Sequence, residues 1–446
     1  METILIFLFS ISFIVITSSK FKIHPFLSLI LAAFLFGMLS GMPPEEIIEN
    51  INSGFGGTIG SIGIIIVAGI IIGAFLENSG GAQVLANFVL KMVGAKRVHA
   101  VMGIMGWIVS IPVFADSGFV ILSSLNRALT KKAGLSIVGT AIALSLGLII
   151  SHTLIPPTPG PIAAAGILGA DLGRVMLIGI CTSIFTLIIA IIFAKYIGKR
   201  IYVDPNISEN EIQEQTPENN RQPSVIKSFL PILVPIILII LRSIADFPTH
   251  PFGETQLKNF ISFIGNPVTA LFIGIFIALF LPEKFDKKML STTGWVGSAL
   301  KSASTIILIT GAGGAFGKVL QTSDIASLFG DNIQGAGLLG LWFPFIIAAA
   351  IKTAQGSSTV AMITTASIIT PLLSTLGFDT ETLKAMAVII IGAGSSVVSH
   401  ANDSFFWVVT QMSGINLNQG YWSQTLGCAI VGFSSMIFLT ILSLFL

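Results

Sequence analysis

Ile62-Gly63-Ile64-Ile65-Ile66-Val67-Ala68-Gly69-Ile70-Ile71-Ile72-Gly73-Ala74-Phe75 decides the fold class. This run has no polar side chain, so it is apolar on every face of a helix. A strand of a membrane barrel would alternate apolar and polar residues over about 10 positions. A bilayer-spanning helix needs about 20 mainly apolar residues. Comparable segments recur along all 446 residues. The chain is 53% hydrophobic and 10% charged, against about 25% charged in soluble domains, with a mean hydropathy of +0.92. That is too little charge to cover a soluble globule of this size. The expected class is an all-α polytopic membrane protein.

A net charge of +2 excludes a basic nucleic-acid surface. Five histidines without a Cys/His cluster argue against zinc. Cys181 and Cys428 sit in apolar stretches and read as small core hydrophobes rather than a disulfide framework. Glu2 stands where a signal peptide would be basic, so the first apolar run reads as a span with its N-terminus outside. Spans are expected near 3–18, 24–41, 59–77, 135–155, 174–194, 228–245, 264–281, 303–320, 383–399 and 424–446. Four apolar stretches are interrupted: 98–114, 117–130, 338–351 and 357–375.

The halves echo each other. Leu76-Glu77-Asn78-Ser79 aligns with Leu320-Gln321-Thr322-Ser323, Asp116-Ser117-Gly118-Phe119-Val120 with Gly356-Ser357-Ser358-Thr359-Val360, and Ser151-His152 with Ser399-His400. The polar stretch between them reads as a linker. The expected organisation is a first repeat over 1–194 with a hairpin at 98–130, a cytoplasmic linker at 195–227, and a second repeat over 228–446 with a hairpin at 338–375. Lys91, Lys96, Arg97, Arg127, Lys131 and Lys132 flank the first hairpin, whereas Asp324, Asp331, Asp379, Glu381 and Lys384 flank the second. Basic loops stay in the cytoplasm, so the hairpins open to opposite sides and the second repeat is inverted. Inverted repeats with broken helices are the pattern of secondary transporters.

The interruptions carry the chemistry. Pro112-Val113-Phe114-Ala115-Asp116-Ser117-Gly118 puts an ionisable group at membrane depth, where it is costly and faces a cavity. Asp116 is also placed to cap the outgoing half-helix. Lys352-Thr353-Ala354-Gln355-Gly356-Ser357-Ser358-Thr359 breaks a helix at Gly356 and offers three hydroxyls at the next N-terminus, a setting for a carboxylate. Lys352, one turn before the tip, either attracts an anion or snorkels to an interface. The prolines of Pro156-Pro157-Thr158-Pro159-Gly160-Pro161 cannot continue a helix, and such backbone is tolerated at depth only inside protein or around a cavity. The run Ser399-His400-Ala401-Asn402-Asp403-Ser404 is the repeat mate of Ser151-His152 and its surroundings. Glu77 and Gln321 read as interfacial caps, and Gly311-Ala312-Gly313-Gly314-Ala315 as a close-packing surface.

These motifs resemble the gluconate:proton symporter family, which includes gluconate, D-serine and related sugar-acid permeases. The likeness spans nearly the whole chain and is carried by Leu76-Glu77-Asn78-Ser79-Gly80-Gly81-Ala82, Pro112–Asp116, Pro157–Pro161, Gly169-Ala170-Asp171-Leu172-Gly173, Ala354–Ala361 and Ser399–Ser404. It implies a bacterial inner-membrane carrier that couples uptake of a small hydroxy- or amino-monocarboxylate to protons. It also implies paired inverted repeats with re-entrant hairpins, and a homodimer working as an elevator. Lys352 stands where the family usually has Arg, and Ser123-Ser124 where relatives often carry proline.

The expected site lies between the two hairpin tips. Substrate contacts are assigned to Asp116, Ser117, Thr158, Gln355, Gly356, Ser357, Ser358, Thr359, Asn402 and Asp403. The coupled proton is assigned to Asp116, His152, His400 or Asp403. No cofactor is expected, and sodium is the alternative coupling ion. The partners are a small anionic or zwitterionic ligand and the bilayer, with no nucleic acid. A channel or an intramembrane enzyme is disfavoured, because no pore-lining polar path, H-E-x-x-H or G-x-S-x-G motif is present.

Overall fold

The computed structural model describes residues 2–94, 97–205, 222–246, 253, 255–323 and 338–445. The described residues are helical, with no strand among them. The first half comprises α1 (Glu2–Ser19), α2 (Pro25–Leu39), α3 (Pro44–Asn78), α4 (Gly81–Val93), α5 (Val98–Val109), α6 (Ala115–Ala133), α7 (Ile137–Leu154), α8 (Pro159–Leu168) and α9 (Leu172–Arg200). The second comprises α10 (Val225–Ala245), α11 (Gln256–Ile264), α12 (Pro267–Ala278), α13 (Trp295–Gln321), α14 (Leu338–Gln355), α15 (Ser358–Ile369), α16 (Glu381–Ser396) and α17 (Ser404–Met412). It ends with α18 (Leu417–Ser443), which contains a π-helical turn at Tyr421–Thr425.

Six helical segments among the described residues are long and apolar enough to cross a bilayer, and the pair α11–α12, bent by 62°, makes a seventh. The chain is a multi-pass membrane protein. α3 is 35 residues long, much longer than the expected span at 59–77. At 1.5 Å per residue it reaches about 50 Å, beyond the ~30 Å of hydrocarbon. Glu45, Glu46 and Glu49 occupy the surplus turns, and these polar residues masked the helix in a reading based on apolar runs. α9 continues to Arg200 and α10 begins at Val225, so both ends of the expected linker are helical; 206–221 lie outside the described residues. Cys428 is buried, but Cys181 is exposed on α9 and is not a core residue.

The two hairpins form where the interruptions stand. α5 stops at Val109 and α6 starts at Ala115, with Pro112 in the turn between them. α14 stops at Gln355 and α15 starts at Ser358. The Pro156–Pro159 run separates α7 from α8. The order of long helix, hairpin, buried helix and short helix thus recurs in the second half as α13, α14–α15, α16 and α17.

Glycines let the helices approach at backbone distance. Gly314 of α13 lies against Thr58 and the Gly54 carbonyl of α3, as expected of that glycine-rich stretch. α7 is the hub, and every residue in it except His152 is buried. It crosses α5 at Gly147, where an added Cβ would run into the Gly103 carbonyl oxygen. Gly147→Ala is therefore expected to cost about 1–3 kcal/mol and to lower the unfolding midpoint in detergent. Gly57→Ala, with nothing within 4 Å of its added Cβ, should leave it unchanged or higher. Equal midpoints for the two variants would contradict this packing.

Candidate functional site

The hairpin tips meet at a cavity of about 300 Å³. Its wall takes Phe114, Ala115 and Asp116 from the first tip, Ile149 and His152 from α7, Lys352 and Gln355–Thr359 from the second tip, and Asn402–Phe405 from the run into α17. Four segments far apart in sequence are brought together here. An interrupted helix exposes backbone N–H groups that have no partner within it, and here two such helix ends converge on one polar cavity.

One buried ion pair holds the second tip to the α17 run. The Lys352 ammonium donates to Asp403 Oδ2 at 2.8 Å and to the Gly356 carbonyl oxygen at 2.5 Å. Their side chains are only 2% and 6% exposed. Lys352 therefore does not snorkel to an interface. Its stem lies inside the protein and its charge is spent on Asp403. The Ser399 hydroxyl donates to the same Asp403 oxygen at 2.6 Å, and the Phe405 N–H donates to Oδ1 at 3.0 Å, so Asp403 also caps α17. Gly356 has φ +90° and presses on the Asn402 carbonyl. A side chain there would be strained and would push the two segments apart. The Thr353 carbonyl oxygen receives the Asn402 amide at 2.9 Å, with His400 Nε2 also 2.9 Å away.

The N-termini of α6 and α15 both open on this cavity. Asp116 sits in the first turn of α6 and accepts its own backbone N–H; the cap position belongs to Phe114, not to Asp116. In α15, Ser357 takes the cap and accepts the Val360 N–H at 3.4 Å. Each helix N-terminus carries roughly half a positive charge.

The expected residues divide. Asp116, Gln355, Gly356, Ser357, Ser358, Thr359, Asn402, Asp403 and His152 line the cavity. Ser117 does not, because its hydrogen bond goes to Glu77 at the end of α3. Thr158 does not either. It lines a second space of about 10 Å³, and its hydroxyl donates to the Ile155 carbonyl. His400 is turned to Thr353 and is no part of the wall, although its repeat mate His152 is. The Ser358 hydroxyl donates to the Ser395 carbonyl at 2.9 Å, so its proton is not free for a carboxylate. Wall residues outside the expected set are Phe114, Ala115, Ile149, Lys352, Ser404 and Phe405. Ile149 stands three residues before His152, on the same helix face, and that spacing was the available signal.

The GntP family permease model matches residues 2–445. A gluconate permease of Pseudomonas aeruginosa is 33% identical over 438 residues, covering 97% of this chain and 96% of the relative. The D-serine transporter DsdX of Escherichia coli is 32% identical over 416 residues, covering 93% and 92%. Among solved structures, the YdaH transporter of Alcanivorax borkumensis aligns with a TM-score of 0.66 at 14% identity, covering 95% of this chain and 99% of that one, a likeness of fold. With its family model matched over residues 2–445 and its helices broken at the positions that build one cavity, the chain belongs to the GntP family of permeases, and it is a transporter rather than an enzyme.

Proposed function

We propose that the chain imports a small hydroxy- or amino-monocarboxylate, of the gluconate or D-serine kind, together with a proton. The observation that carries this reading is the meeting of two helix N-termini and the Asp116 carboxyl in one cavity. The unpaired N–H groups at the start of α15 suit a carboxylate. An ionised Asp116 would repel that anion, and a protonated one would not. Substrate and proton therefore favour each other's binding, and the coupling is reciprocal. Asp403 is engaged by Lys352 and Ser399, and His400 lies off the wall, which leaves Asp116 and His152; Asp116, whose charge would oppose a bound carboxylate, is the preferred proton carrier.

Lys352 also favours proton over sodium. Broken-helix carbonyls and carboxylates are the usual sodium ligands in transporters. Here the Gly356 carbonyl and Asp403 carboxylate already face an ammonium. The same reading carries an inner-membrane location, an N-terminus outside, a cytoplasmic linker at 195–227, an inverted relation between the halves, and a homodimer. The basic residues around α4–α6, against Asp379, Glu381 and the Lys384 that pairs with Glu381, support the orientation.

Reconstituted into liposomes, the protein should accumulate labelled gluconate or D-serine under an inward proton gradient without sodium. One proton per substrate gives about tenfold accumulation per pH unit. Asp116→Asn should keep substrate counterflow but equilibrate without accumulation. Full accumulation by that variant would remove Asp116 from the coupling step, and a requirement for sodium would replace the proton.

The ion pair makes a second expectation. Lys352→Ala leaves a buried carboxylate alone and should cost about 3–5 kcal/mol of stability. Removing both charges as Lys352→Met with Asp403→Leu should recover most of that loss, read as the thermal midpoint in detergent. If the double variant is no more stable than the single, the two charges are not coupled.

A further inference from the structure

We propose that His152, Gln355 and Asn402 read the hydroxyl groups of the substrate and set the preference for hydroxylated over plain carboxylic acids. This inference rests on the reading of the cavity as the substrate site. His152 Nδ1, Gln355 Nε2 and Asn402 Oδ1 are buried, and none of the three has a hydrogen-bond partner among the described residues. All three residues line the same cavity. Buried polar atoms are nearly always paired in native proteins, and each exception calls for an explanation.

Three other polar groups of the wall, Lys352, Asp403 and Ser358, are turned toward protein. Lys352 donates to Gly356 and Asp403, Asp403 accepts from Lys352, Ser399 and Phe405, and Ser358 donates to Ser395. The three unpaired atoms stand apart from this network and come from three separate elements: α7, the end of α14 and the run before α17. Their chemistry is mixed. Gln355 Nε2 is a donor, Asn402 Oδ1 is an acceptor, and His152 Nδ1 is either, according to tautomer. The amide of Asn402 is oriented by its own bond to the Thr353 carbonyl, which leaves its oxygen without a partner. A hydroxyl both donates and accepts, so it satisfies every member of this set. An ammonium only donates and cannot answer Gln355, and a methylene answers none. At about 30 Å³ per water, the cavity has room for about ten water-sized groups. That suits a short hydroxylated acid. His152 borders the second, much smaller space as well, so its ring closes the ligand volume on the α7 side.

The test measures inhibition of labelled-gluconate counterflow by unlabelled gluconate and by hexanoate, which has the same chain length and no hydroxyls. In the wild-type protein hexanoate should be at least about a hundredfold weaker, because it leaves the polar atoms of the site unpaired. Gln355→Met and His152→Phe keep the bulk and remove the polar atoms. Each should narrow the ratio by about three- to tenfold, through weaker gluconate binding with hexanoate little changed. Two independent variants guard against a failure to fold, and a ratio does not respond to the amount of folded protein. Where D-serine rather than gluconate is carried, the same ratio is read between D-serine and D-alanine. Equal inhibition by the hydroxylated and plain acids in the wild type, or variants that weaken both alike, would overturn the proposal and leave the transport reading standing. Absence of counterflow with gluconate and with D-serine would overturn the transport reading, and this one with it.

Discussion

The pair Lys352–Asp403 is the interaction on which the site depends. Two opposite charges are taken almost wholly out of water, and such burial is repaid only when geometry and extra hydrogen bonds are good. Here they are. Lys352 spans from its own hairpin tip to the run before α17, and Asp403 collects an ammonium, a hydroxyl and a backbone N–H. The consequence reaches beyond the two side chains. Gly356 is held against the Asn402 carbonyl, Thr353 accepts from Asn402, and the first turn of α15 is presented to the cavity. The hydroxyl of Thr425, inside the π-helical turn of α18, donates to the Ser399 carbonyl at 2.5 Å and ties this assembly to the last helix. Without the pair, the second tip would be held to this run only by the Thr353 carbonyl's bonds to Asn402 and His400 and by the Gly356 contact.

The bilayer explains why so elaborate a device is placed here. Irregular backbone at membrane depth must find partners within the protein. The chain answers this by burying its breaks against each other around α7, whose only residue not fully buried, His152, lines the cavity. The lipid-facing helices solve a simpler problem. α9, α10 and α18 leave large apolar side chains such as Ile188, Ile237 and Ile437 exposed on their outer faces, as befits a hydrocarbon solvent.

Much of this architecture could be read from the residues. Apolar runs located seven of the ten expected spans, those at 3–18, 24–41 and 383–399 falling outside the helices long and apolar enough to cross, and proline or glycine inside apolar stretches located the breaks at Pro112, Gly356 and Pro156–Pro159. What escaped were helices whose signal is not hydropathy. The first turns of α3 carry three glutamates, and α8 and α17 are too short to stand out. The site was legible to the extent that a polar residue in an apolar run is conspicuous: Asp116, His152, Gln355 and Asn402–Asp403 all reach the cavity. The same rule overreached at Ser117, Thr158 and His400, whose polar atoms turn to Glu77, Ile155 and Thr353 instead.

The sequence by itself determined that this is a membrane protein of broken helices, because hydropathy and helix-breaking residues are local properties that no packing can reverse. It also showed which polar residues interrupt apolar runs. Only the tertiary structure decided what those residues do. Whether Lys352 reaches lipid headgroups or a buried carboxylate depends on Asp403, 51 residues away. Whether a hydroxyl or amide faces the cavity or a carbonyl depends on which backbone passes beside it. Those are contacts across the fold, and the spacing of residues along the chain does not contain them.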